Sequence, residues 1–71
     1  MSYSVKLYDA SGGVVETQTI TRTDLVAIAD AVRSGVASPI NVRVVKQILT
    51  AERPNVAKLE LYSDGRLIAT V

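Results

Sequence analysis

Ser38-Pro39-Ile40-Asn41-Val42-Arg43-Val44-Val45-Lys46-Gln47-Ile48-Leu49-Thr50-Ala51-Glu52-Arg53 is the stretch on which the fold turns, because it reads as a helix or as a strand and each gives a different architecture. Wound at about 100° per residue, it gathers Arg43, Lys46, Gln47, Thr50 and Arg53 on one arc. Ile40, Val44, Val45, Ile48 and Leu49 spread over the rest, which describes a buried helix with one basic stripe. Ser38 before Pro39 suits an N-cap and first helical position, and Pro54 a stop just past the end. Against the helix, six of the eleven residues from Ile40 to Thr50 are β-branched, which favours extended chain. Alternation fails at Val44-Val45 and Ile48-Leu49, as only a strand buried on both faces tolerates. The helix is the preferred reading.

On the N-terminal side, Tyr3, Val5 and Leu7 alternate with Ser4, Lys6 and Tyr8 as a half-buried strand. Asp9-Ala10-Ser11-Gly12-Gly13 can turn it back into Val14 to Ile20 as a hairpin partner. Thr21 with Asp24 three positions on has the spacing of a capping box, and Leu25, Ile28, Ala29 and Val32 make the apolar stripe of a helix that Gly35 ends. Arg33 is favourably placed in its last turn. On the C-terminal side, Val56 to Ser63 and Arg66 to Val71 flank Asp64-Gly65, a strong short hairpin signal. A two-residue loop predicts Ser63 opposite Arg66, Tyr62 opposite Leu67, Leu61 opposite Ile68 and Leu59 opposite Thr70. One face then holds Ala57, Leu59, Leu61 and Ile68, suited to the core. The other holds Lys58, Glu60, Tyr62, Leu67, Ala69 and Val71, more apolar than a solvated face needs to be.

The expected fold is one α+β domain over residues 1–71, ordered ββααββ, with antiparallel hairpins packed on helices. If residues 40–50 are extended, the order becomes ββαβββ, one antiparallel sheet with a single helix. Seventy-one residues leave no room for a second core. The chain has no Phe, no Trp and three Tyr, so the core must be aliphatic, and self-association is a common source of added stability for so small a domain.

Composition also narrows the chemistry. The absence of Cys excludes disulfides and thiolate metal sites, and the absence of His removes the commonest general base and metal ligand. No metal site, cofactor or small-molecule substrate is expected. The longest uncharged run, Ser34 to Val42, is far short of the roughly 20 residues of a membrane span. Met1-Ser2-Tyr3-Ser4 opens straight into a strand-like pattern without a signal peptide, so a cytoplasmic location is expected. Seven carboxylates occur without motif spacing, and Gly12-Gly13 lacks the Gly-Lys-Ser/Thr that follows in a phosphate-binding loop. Enzymatic activity is not expected.

Charge is unevenly spread although the net is +1. Lys6 and Arg22 against Asp9, Glu16, Asp24 and Asp30 give the first thirty residues −2. Arg33, Arg43, Lys46, Arg53 and Lys58 against Glu52 give residues 31–58 +4. Arg66 against Glu60 and Asp64 leaves the remainder at −1. Helix 22–34, a Gly-containing break, helix 39–53 and a hairpin follow the element order at the end of a winged helix-turn-helix. Residues Gly35 to Gln47, with Ala31 four before the glycine, resemble the turn and recognition helix of repressor-type helix-turn-helix proteins. The resemblance covers under a quarter of the chain and departs from the pattern at Asn41, which takes a slot usually held by a buried aliphatic. An N-terminal hairpin also replaces the usual first helix. It implies a DNA-binding element at 24–53 with a wing at 56–71, Asn41 near base edges, Arg43, Lys46 and Arg53 on phosphates, and Arg66 at the wing tip.

The leading expectation is a non-enzymatic binding module that meets another protein, or a second copy as a homodimer, through the outward hairpin face: Tyr62, Leu67, Ala69 and Val71, extended by Tyr8 and Val14. Small regulatory, inhibitory or assembly proteins of this kind are common among phage and mobile-element accessory genes. The terminal strand offers backbone pairing as a further docking mode, should it lie at a sheet edge. Two helices on opposite sides of the sheet would instead bury that face.

Overall fold

The computed structural model describes residues 2–71. Strand β1 (Tyr3–Asp9) and β2 (Val14–Thr19) form the first hairpin, and α1 (Thr23–Arg33) follows. A single 3-10 turn (Pro39–Asn41) leads into α2 (Val42–Leu49), and β3 (Val56–Ser63) and β4 (Arg66–Thr70) close the chain. The ββααββ order is therefore the observed one. All strand pairs are antiparallel, in the spatial order β2-β1-β3-β4, so the first strand of each hairpin lies in the middle of the sheet.

Helix α1 forms on its apolar stripe, burying Leu25, Ala29 and Val32. The capping box expected from Thr21 does not form. Asp24 accepts instead from the Leu25 N–H at 2.9 Å and pairs with Arg22 at 2.7 Å. At the other end Gly35 takes φ +79°, a conformation that only glycine adopts without steric penalty. This lets the Val36 N–H reach the Ala31 carbonyl at 2.9 Å and the Gly35 N–H reach Val32 at 3.2 Å, a Schellman termination.

The deciding stretch is helical but shorter than 39–53. Ser38 Oγ caps the 3-10 turn by accepting from the Ile40 N–H at 3.4 Å, and regular helix begins only at Val42. It stops at Leu49, where Thr50 leaves helical geometry (φ −111°, ψ 10°) while its N–H at 2.9 Å and its Oγ1 at 2.6 Å both donate to the Lys46 carbonyl. Arg53 then donates to the Leu49 carbonyl at 3.0 Å, satisfying a terminal oxygen from outside. Tertiary burial of Val42 and Val45 overrides the β-branched bias of the stretch.

Both helices pack on the same sheet face. Tyr3, Val5 and Leu7 of β1 and Leu59 and Leu61 of β3 face Leu25, Ala29 and Val32 of α1 and Val42 and Val45 of α2, with Ile20 and Ala69 completing the core. At the second hairpin Asp64 (φ 50°) and Gly65 (φ +83°) make the expected two-residue turn, and Ser63 opposes Arg66 and Tyr62 opposes Leu67. Beyond these pairs the expected register is corrected. A β-bulge inserts Ile68, so Leu61 faces Ala69 rather than Ile68, and Leu59 exchanges backbone bonds of 2.8 and 2.9 Å with Val71. One extra residue turns every later side chain to the opposite face. Ala69 is consequently only 8% exposed, and Val71 packs against the core. Among the described residues no helix is long and apolar enough to cross a membrane.

Candidate interaction surface

Because both helices cover one side, the other side of the sheet is uncovered. Its centre is built by alternation on β1 and β3, which set Ser4 opposite Tyr62, Lys6 opposite Glu60 and Tyr8 opposite Lys58. Tyr8 Oη donates to Glu60 Oε1 at 2.5 Å, and Tyr62 Oη donates to the same oxygen at 2.8 Å. Lys58 Nζ stands 4.3 Å from the Tyr8 ring centroid and 4.0 Å from Glu60 Oε2, while Lys6 Nζ lies 5.4 Å from the Tyr62 centroid. The Tyr8 and Tyr62 hydroxyls hold the Glu60 carboxyl below the usual carboxylate range. The Glu60 hydrogen bond, with desolvation behind it, pushes the Tyr8 phenol up to about 12. The cluster satisfies its own donors and acceptors and is polar, not an apolar patch.

Of the hairpin residues expected to form an interface, Tyr8, Tyr62 and Leu67 share this open face. Ala69 and Val71 do not, because the bulge at Ile68 turns them toward the helices.

The larger apolar surplus lies on α2 and was missed in the sequence, where the aliphatic residues read as a buried set. Only Val42 and Val45 are fully buried and Leu49 partly so, whereas Val44 is 45%, Ile48 37% and Ile40 57% exposed, beside Val36 at 83%. Ile40, Val44 and Ile48 follow one another at i, i+4, i+8 and form a continuous row. A signal for it existed. The five aliphatic residues of α2 span roughly 160° of helix circumference, wider than the ~100° stripe one core contact needs.

The five residues of the DNA-binding expectation are not brought onto one surface. Arg43 and Lys46 line a shallow cavity of about 320 Å³ with Gln47, Thr50 and Val71. Lys46 Nζ donates to the Ala57 carbonyl at 3.0 Å, and Arg53 is drawn to Glu16 on β2 at 2.9 Å. Asn41 Nδ2 closes onto the Ser38 carbonyl at 3.1 Å. Arg66 sits by the hairpin turn, lining a cavity of about 650 Å³ with Val32, Arg33, Ser63 and Asp64. That is the opposite end of β3 from Ala57, roughly 20 Å along the strand. Among the described residues no group of three or more acidic, Cys or His side chains could hold a metal ion.

Comparison with protein-family models, curated proteins and solved structures finds no match.

Proposed function

We propose that the chain is a non-enzymatic binding module of regulatory, inhibitory or assembly type that acts through protein–protein contacts. The observation that carries this reading is the exposed row Ile40-Val44-Ile48. A domain of this size needs its aliphatic residues for the core, and a contiguous set left in water costs solubility unless a partner covers it. The open sheet face supports the reading more weakly, since its Tyr8-Glu60-Tyr62 cluster is self-satisfied and its exposed aliphatics, Val14 opposite Tyr8 and Leu67 opposite Tyr62, lie apart on the two edge strands.

The test compares baits in the native host. Ile48→Asp places a charge in the row without touching the core, so the variant keeps its circular dichroism and loses proteins that the unmodified chain retains. Identical retained sets for the two baits would remove the row as the binding surface. The nucleic-acid alternative has less support, because Lys46 and Arg53 are held by protein acceptors and Arg66 lies apart from them. Fluorescence anisotropy with duplex DNA at low salt checks it directly.

A further inference from the structure

We propose that the partner is a second copy of this chain, joined edge to edge through β2, so that two four-stranded sheets become one of eight strands. The inference rests on the protein-binding reading and names its occupant.

Strand β2 is a sheet edge, and the Ile20 N–H donates inward to the Tyr3 carbonyl at 2.8 Å. By the period of two, the backbone groups of Gln18 and Glu16 also point inward, and those of Thr17 and Thr19 point out along the free edge. Natural edges are usually defended by Lys, Pro or an inward charge. Val14-Val15-Glu16-Thr17-Gln18-Thr19 has neither Lys nor Pro, and its one charge, Glu16, is neutralised by Arg53 of its own chain at 2.9 Å. By contrast β4 is five residues long and begins with Arg66, while each edge strand carries one bulge, β2 at Val15 and β4 at Ile68.

A two-fold axis at Thr17 sets the register. Thr17 then faces the partner's Thr17 with both outward backbone pairs engaged, and the regular pairing ends at the partner's Val15, the bulged residue of β2. Glu16 faces the partner's Gln18, and Gln18 the partner's Glu16, so no two carboxylates oppose each other, and each Glu16 keeps the Gln18 amide and Arg53 of its own chain. Shifting the axis to Glu16 opposes the two carboxylates, and shifting it to Gln18 sets Glu16 against an isoleucine.

Sedimentation equilibrium from micromolar to millimolar concentration tests the pairing. The unmodified chain is expected to dimerise. Thr17→Pro removes an N–H that points away from β1 and spares the β1–β2 ladder, so it yields a monomer with an unchanged spectrum. Thr17→Lys makes the same test by like-charge contact if proline unfolds the strand. Gln18→Glu opposes two carboxylate pairs and weakens the dimer about tenfold, and adding Glu16→Gln restores it, which fixes the register. A chain monomeric at millimolar concentration, or a dimer indifferent to both Thr17 variants, overturns the proposal. If a monomeric chain still retains host proteins that Ile48→Asp loses, only the second-copy assignment fails. If neither is seen, the protein-binding reading fails with it.

Discussion

Val44 and Val45 are adjacent, identical side chains with opposite environments, the first 45% exposed and the second fully buried. Truncating each to alanine therefore tests the helical reading of the deciding stretch. Val45→Ala removes two buried carbons, about 1.6 kcal/mol at ~0.8 per carbon. A partly relaxed void of about 40 Å³ adds about 1 kcal/mol at roughly 24 cal/mol per Å³, and the better helix propensity of alanine returns about 0.5. The net loss is about 2 kcal/mol. For Val44→Ala about half the transfer term applies, no void forms and the same propensity gain offsets most of it, leaving about 0.3 kcal/mol. With an unfolding entropy of roughly 0.15 kcal/mol per degree for a chain of this length, the midpoints fall by about 13 °C and about 2 °C. Thermal unfolding followed by circular dichroism at low micromolar concentration, where self-association does not contribute, reads both. Equal losses would refute the helix, because a strand buried on both faces places the two valines in equivalent surroundings.

Gly65→Ala should lower stability by about 1 to 2 kcal/mol through backbone strain at φ +83° alone, since an added Cβ meets no atom there; the urea midpoint should fall with an unchanged slope. Glu60 has a folded pKa below its ordinary 4.5, so its contribution is complete above that value and is lost as pH falls through the lower folded one. Urea midpoints in Glu60→Gln should accordingly lose part of the acid-side decline. Tyr8 runs the other way, from 10.0 to about 12: its contribution is present below pH 10 and lost as pH rises through about 12. Tyrosinate absorbance should therefore develop later in the folded chain than in the unfolded one, and earlier again in Glu60→Gln.

What was legible in the sequence was local. Alternation in Tyr3 to Tyr8, the stripe from Leu25 to Val32 and the Asp64-Gly65 turn each carry their own signal within a few residues, and each element formed where that signal lies. The bulge at Ile68 was not legible because Ile68 and Ala69 are both apolar, so either satisfies a period of two. The face assignments of Ala69 and Val71 failed with it. The C-terminal end of α2 is not legible because Thr50 and Arg53 act through the Lys46 and Leu49 carbonyls, which no hydrophobic pattern records. At the candidate surface, alternation correctly placed Tyr62 and Tyr8 outward. Their shared acceptor, Glu60, depends on which strands become neighbours, a fact no window of sequence contains. The exposed row is legible in the sequence as an apolar arc wider than one contact with a sheet occupies.

The central position of β1 and β3 bears on how quickly the chain folds. Each hairpin can close by itself through a short turn, yet the sheet is complete only when its two middle strands meet, bringing Tyr8 to Glu60 across 52 residues of chain. Closing so long a loop costs entropy that grows with the logarithm of its length, and no contact between the hairpins offsets it until they dock. The helical segment between them shortens that search by taking up chain as it winds. A stretch first in question for its secondary structure thus also governs the rate at which the two halves of the sheet find each other.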